Sequence, residues 1–151
     1  ELYDQAAKAF FEENKLPLPK ITQGLNFTHY THKNIVISCG DFFKLNKNDA
    51  YDFIYDRGSL VALPFSMRKN YAQVIRQALK KSGKYLLIVY EYDPSKMEGP
   101  PFSIDDNEIH ELYGDLFTIQ LIESKKPDDE GPRLAALESL KQKVYILEKI
   151  R

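Results

Sequence analysis

Apolar and polar positions along this chain alternate at two periods, and the two periods take turns. The opening "YDQAAKAFFEENK" places Ala6, Phe10 and Phe11 on one face, with Asp4 in the first turn, and predicts a helix ending near Asn14. "KLPLPKITQG" reads as loop, broken by prolines at 17 and 19. The β-branched run "NIVISC" predicts a strand over 34–39, and "YDFIYD" a second over 51–56. In "SMRKNYAQVIRQALKKSG" the residues Tyr71, Val74, Ile75 and Leu79 recur at helical spacing, with Ser66 as N-cap and Gly83 as the C-terminal stop. "KYLLIVYEY" is apolar throughout, the pattern of a strand with helices on both faces. "SIDDNEIHELYG" predicts a short capped helix over 103–114. "LFTIQLIE" and "KVYILEKI" close the chain as two strands, separated by the polar stretch "SKKPDDEGPRLAALESLKQ".

Strands alternating with helices predict an α/β fold with a mainly parallel sheet. The last two strands lack a crossover helix, which predicts an antiparallel edge pair at the C-terminus. In such sheets ligands sit beyond the carboxyl ends of the strands. The polar residues that follow the strands therefore carry the candidate chemistry.

Composition narrows the classes. The 151 residues are 43% hydrophobic and 28% charged, ordinary for one globular domain spanning residues 1–151. With 21 basic against 22 acidic residues the net charge is −1, so no global field draws the chain to nucleic acid or to a membrane. "YLLIVY" is too short to span a bilayer. The single Cys39 cannot form an internal disulfide and fits a small buried hydrophobe in a reducing compartment, so a cytoplasmic location is expected. The chain opens without Met and directly in a helical pattern, which suggests a piece of a longer protein.

Three segments carry candidate chemistry. In "CGDFF", Asp41 follows a strand with Phe42 and Phe43 behind it; it is either a turn residue with core aromatics or an acceptor beside a flat base. In "DRG", Gly58 permits a turn or a close approach, and Arg57 can grip a carboxylate or form a surface pair with Asp56. In "DPSKMEGPPFS", prolines and a glycine surround an exposed Phe102, as the wall of a flat ligand's site or as a plug over the core. His29 and His32 lack acidic or cysteine partners at ligand spacing, so they read as loop histidines and no metal site is expected. Ser59 stands outside any Gly-x-Ser-x-Gly context, and the chain has no glycine-rich dinucleotide fingerprint or phosphate loop.

Taken in order, "YDFIYDRGSLVAL", "MRKNYAQVI", "YLLIVYEYDPSKMEGPPFS", "EIHELYG" and "KVYIL" resemble the thiopurine S-methyltransferase family, Rossmann-like enzymes that use S-adenosylmethionine. The likeness extends from Glu1 to the last strand. It implies methyl transfer from S-adenosylmethionine, with S-adenosylhomocysteine as product, to the sulfur of a small thiopurine-like thiol, or to selenium or tellurium species. It implies a cofactor site with Glu1 at the ribose hydroxyls, Asp41 and Phe42 around the adenine, and Arg57 in contact close to the acceptor. Pro101 and Phe102 would lie in the acceptor-side loop, with Arg133 as a second arginine on that side, its register shifted from the family pattern. No catalytic acid or base and no metal is implied, and the full-length protein is expected to be a monomer. The family's first strand, its glycine-rich loop and its N-terminal acceptor aromatics would lie upstream of Glu1. A sheet built without that central strand would leave two edges unpaired. The rival reading is a non-catalytic remnant of the fold that serves as a protein-interaction module; a related halide or thiol methyltransferase matches "DRGSLVAL" less well.

Overall fold

The computed structural model describes residues 3–128 and 131–150. The chain divides into two compact units, Glu1–Asn46 and Lys47–Arg151.

In the first unit, helix α1 (Asp4–Glu13) ends at Asn14 as its pattern predicts. Its buried stripe is Ala7 and Phe11, four residues apart, whereas Ala6 and Phe10 stay exposed. A helix on a small sheet can bury only one of two consecutive phenylalanines, and the i, i+4 pair is the one that faces β2 and β3. Ala7 and Phe11 pack with Tyr30 and Cys39, flanked by Leu16, Ile35 and Ile37. Cys39 is thus the small buried hydrophobe expected.

The sheet of this unit is an antiparallel meander of β1 (Lys20–Gln23), β2 (Phe27–His32) and β3 (Ile35–Gly40). Two expectations change here. The segment read as loop contains β1, because the helix-breaking prolines end at Pro19 and "KITQ" is free to pair. His29 and His32 lie on β2, and His29 Nδ1 is 2.9 Å from Ser38 Oγ on the opposing residue of β3. The strand expected over 34–39 is present, but it pairs antiparallel with β2. Only Lys33 and Asn34 separate the two strands, and Lys33 adopts a φ of 52°, so a tight hairpin forms.

The second unit holds a four-stranded sheet of order β4-β5-β7-β6, from β4 (Tyr51–Arg57), β5 (Leu79–Glu91), β6 (Phe117–Lys125) and β7 (Lys141–Lys149). β4 and β5 are parallel, joined across helix α2 (Phe65–Ala78), while β7 runs antiparallel to both β5 and β6. The class is α/β with a mixed sheet, and its last two strands form the antiparallel pair the sequence predicts. Alternation sorts the strands. Tyr85, Leu87 and Val89 of β5 and Tyr145 and Leu147 of β7 are buried on one face, as are Tyr71, Val74, Ile75 and Ala78 of α2 and Ile109, Leu112 and Tyr113 of α3 (Asp106–Tyr113). Tyr113 stands edge-on to Tyr85 at 5.5 Å and to Phe117 at 5.6 Å. On the other face Leu86, Ile88, Val144 and Ile146 are half-buried, and Phe53 and Tyr55 of β4 are exposed. Within this unit, then, β5 is covered by helices on one face, where its unbroken apolar run suggested both.

The helix signals need similar adjustment. α2 begins at Phe65 after Pro64, with Ser66 inside the first turn and no side-chain cap. It ends at Ala78, because Leu79 turns extended at ψ 133° and starts β5; Gly83 sits within that strand beside a register shift. α3 begins at Asp106 and not at Ser103: Asp105 caps it by accepting from Glu108 N at 2.8 Å, while Ser103 Oγ is engaged with the Tyr92 backbone.

Candidate active site

The "DRG" turn resolves by strand alternation. Asp56 points into the core at 2% exposure, and Arg57, the next residue, points out from the opposite face. The Asp56 carboxylate accepts from Tyr71 Oη at 2.7 Å, from Tyr85 Oη at 2.8 Å and from Ser59 N at 3.0 Å. Burial first, and the nearby carboxylate after it, pushes the Tyr71 phenol well above its ordinary range, so it remains a donor. The surface Asp–Arg pair is therefore ruled out, since Asp56 is committed to two tyrosines. Gly58 completes the turn at φ +93° with open space around its Cα, so a backbone conformation and not a close approach requires glycine.

The proline-rich loop is tied back onto that turn. Phe102 N donates to Val61 O at 2.6 Å, which joins "GPPF" to "DRGSLVAL" directly. Tyr92 Oη donates to Pro101 O at 2.6 Å, and Ser103 Oγ bonds both Tyr92 N (3.0 Å) and Tyr92 O (2.7 Å). Gly99 has φ +83°, and a Cβ there would stand 2.5 Å from the Phe102 ring. Phe102 is half-buried, where full exposure was expected, and it walls a cavity of about 800 Å³ together with Phe65, Tyr92 and Met97.

Arg68 was missed by the reading of the sequence. It is 4% exposed, its Nε donates to Leu63 O at 2.9 Å and its Nη1 to both carboxylate oxygens of Glu108 at 2.8 and 2.7 Å. Its guanidinium lies 5.7 Å from the centre of the Phe102 ring. A signal existed: Arg68, Tyr71, Ala72 and Ile75 are i, i+3, i+4 and i+7, so the periodicity of α2 puts an arginine on its buried stripe.

A second buried cation closes the sheet end. Lys143 Nζ bonds Glu91 and, at 2.6 Å, Asp106, which also accepts from Tyr145 Oη. Burial lowers the Lys143 pKa, but its two carboxylate partners outweigh that and hold it above 10.5. Asp106 is held below 3.8, first by Lys143 and then by Tyr145.

The predicted site residues are brought together in part. Arg133, in the short helix α4 (Pro132–Ala135), lines a neighbouring cavity of about 890 Å³ that shares Asp93, Met97 and Glu98 with the first. The Tyr92 phenol is raised by burial, opposed by its hydrogen bond with Ser103 and then by the charges of Arg68 and Arg133, and its hydroxyl holds the Pro101 carbonyl. Leu134, Leu137 and Leu140 pack on the same Tyr92, so the stretch read as polar contributes an apolar cluster. Arg57 lines neither cavity. Asp41 and Phe42 lie in the first unit, after β3, where Asp41 Oδ1 accepts from Phe43 N at 3.0 Å and opens a 3-10 turn. Glu1 lies outside the described residues. Among the described residues no group of His, Cys, Asp and Glu is arranged to hold a metal, and no helix is long and apolar enough to cross a membrane.

Among solved structures, a SAM-dependent methyltransferase from Methanosarcina mazei is similar with a TM-score of 0.58 at 16% identity, covering 74% of this chain and 66% of that one. The 1,6-didemethyltoxoflavin-N1-methyltransferase of Burkholderia thailandensis, solved with 1,6-didemethyltoxoflavin and S-adenosylhomocysteine, gives a TM-score of 0.52 at 21% identity over 76% of this chain and 50% of that one. The fold is that of the SAM-dependent methyltransferases. The sequence profile of the thiopurine S-methyltransferases matches residues 1–150. The thiopurine S-methyltransferase of Azotobacter vinelandii is 35% identical over 153 residues, 99% of this chain and 70% of that protein. The enzyme of that name from Vibrio atlanticus is 40% identical over 152 residues, 98% of this chain and 68% of that protein. The chain belongs to the thiopurine S-methyltransferase family.

Proposed function

We propose that this protein transfers a methyl group from S-adenosylmethionine to the sulfur of a small thiol acceptor of thiopurine type, with selenium and tellurium species as chemically related acceptors. The observation that carries the reading is the hydrogen bond between Phe102 N and Val61 O. It joins the two sequence blocks that most distinguish the family, and it does so just beyond two adjacent parallel strands, where ligands of such folds bind.

The residues present fit the cofactor. Asp41 follows β3 with its second carboxylate oxygen making no hydrogen bond among the described residues, suited to an amino group, with Phe42 beside it to pack on adenine. Arg57 and Arg133 make no ion pair among the described residues, whereas Arg68 and Arg76 are committed to Glu108 and Asp115. Among the described residues Arg57 and Arg133 thus remain for ligands, and the reading assigns Arg57 to the cofactor near the reacting centre and Arg133 to the acceptor side. Pro101 and Phe102 form an apolar wall for a flat acceptor. When bound, S-adenosylmethionine supplies an electrophilic sulfonium methyl. The chain's part is to align an acceptor sulfur with that methyl and to exclude water, since in-line positioning accounts for much of such catalysis. A thiol ionises close enough to neutrality to lose its proton to solvent, so no general base is required.

The test uses the full-length protein with S-adenosylmethionine and 6-mercaptopurine, following the S-methylated product by mass spectrometry and S-adenosylhomocysteine binding by calorimetry. Product formation together with binding is expected. Absence of product with thiol, selenium and tellurium acceptors alike would overturn the reading.

A further inference from the structure

We infer that Arg68 is a positioning residue for the acceptor wall: its guanidinium sets the place of the Phe102 ring and so governs acceptor binding. The inference rests on the proposed methyl transfer and deepens it. Three segments meet at this one side chain. Nε donates to Leu63 O beyond the "DRG" turn, Nη1 donates to the Glu108 carboxylate of α3 and reaches Ser103 O at 3.4 Å, and the guanidinium carbon lies over the Phe102 ring, 5.7 Å from its centre. The backbone of Phe102 is pinned independently by Val61 O, so the ring's orientation is what the guanidinium adds. Gly99 leaves room for that ring, since a Cβ there would stand 2.5 Å from it.

Burial indicates why an arginine stands here. The Arg68 and Glu108 side chains are 5% and 14% exposed, so removing either leaves a buried charge unpaired. A lysine would keep the charge opposite Glu108, but an ammonium cannot face the ring with a plane or span Leu63 O and Glu108 at fixed angles. Arg68→Lys therefore separates positioning from charge balance. Nothing in these contacts touches Asp41 or Arg57, so cofactor binding should be indifferent to the change.

The experiment is steady-state kinetics of the full-length protein with 6-mercaptopurine, alongside calorimetry with S-adenosylhomocysteine. Arg68→Lys should raise KM for the acceptor roughly tenfold with kcat changed far less, and leave S-adenosylhomocysteine affinity as it is. In a Phe102→Leu background the same substitution should change KM by no more than about twofold, because the residue through which it acts is gone. If Arg68→Lys does not fold, Glu108→Gln, which loosens the guanidinium without changing shape, should show the same KM rise and the same dependence on Phe102. A KM within about twofold of wild type in an active, folded variant, or a KM rise undiminished in the Phe102→Leu background, would overturn the inference. A wild-type protein that forms no methylated product would count against methyl transfer itself and is read separately.

Discussion

Asp56 and Arg57 are neighbours in sequence with opposite duties, and a pair of substitutions separates them. Asp56→Ala deletes the one acceptor shared by Tyr71 and Tyr85, at 2.7 and 2.8 Å in the core. Each buried hydroxyl that loses this charged acceptor costs about 1–3 kcal/mol. The lost Ser59 N–H bond adds little, because Ser59 is exposed and water can replace the carboxylate. The two hydroxyls together come to about 2–6 kcal/mol, a large part of the ~5–15 kcal/mol that holds a domain together. Asp56→Asn keeps the shape and one acceptor oxygen and should cost about half as much. Arg57→Ala removes an exposed side chain with no partner among the described residues, and should stay within about 0.5 kcal/mol of wild type. Urea unfolding followed by circular dichroism on the three variants decides the matter. A loss below about 1 kcal/mol in Asp56→Ala would refute the tyrosine–carboxylate network as a source of stability. A loss in Arg57→Ala equal to that in Asp56→Ala would refute the assignment of the two residues to opposite faces.

Other perturbations follow from the same geometry. Arg57→Lys should lower kcat/KM with 6-mercaptopurine by roughly tenfold or more at unchanged melting temperature, because an ammonium cannot replace a planar fork; wild-type kinetics would refute a ligand role. Gly99→Ala should raise the acceptor KM, since the new Cβ meets the Phe102 ring at 2.5 Å, and an unchanged KM in a folded variant would show that the ring does not wall the acceptor site. The Lys143 cluster gives a pH signature. Asp106 is held below 3.8, so its contribution is present above that pH and is lost as the pH falls; Lys143 is held above 10.5, so its contribution is present below that pH and is lost as the pH rises. The melting-temperature difference between wild type and Lys143→Gln should therefore be greatest between pH 3.8 and 10.5 and shrink outside it, and a pH-independent difference would exclude the ion pairs as its cause.

What the sequence disclosed and what it hid divide along physical lines. The strands of the second unit and its helices α2 and α3 were legible because each is long enough for its apolar period to stand out, whereas the four-residue α4 was not, and the antiparallel closing pair followed from the missing crossover. β1 and β2 were hidden by short length and polar composition: "KITQ" and "FTHYTH" bury little, with Tyr30 alone fully enclosed among them. The caps failed for a different reason. Ser66 and Ser103 have the right chemistry for helix starts, but Pro64 sets one start earlier and the backbone of Tyr92 claims the hydroxyl of the other. Local propensity cannot see a partner supplied from eleven residues away.

The candidate site shows the same limit more sharply. Single residues following strands pointed to Arg57, Phe102 and Asp41, because exposure of polar groups at strand ends is a local property. Arg68, which meets the proline-rich loop, belongs to helix α2, and its contacts exist only through Leu63, Phe102 and Glu108. A charged residue on the apolar stripe of a helix is costly unless a buried partner meets it, so such a position marks a long-range ion pair before the partner is known. Glu108 stands beside the buried Ile109 in the acidic first turn of α3 and is itself half-buried, and it is that partner. Periodicity therefore carries more than secondary structure. Where it places a charge on the wrong face, it identifies the tertiary contact that the fold must make, and in this chain that contact is the ion pair between Arg68 of α2 and Glu108 of α3.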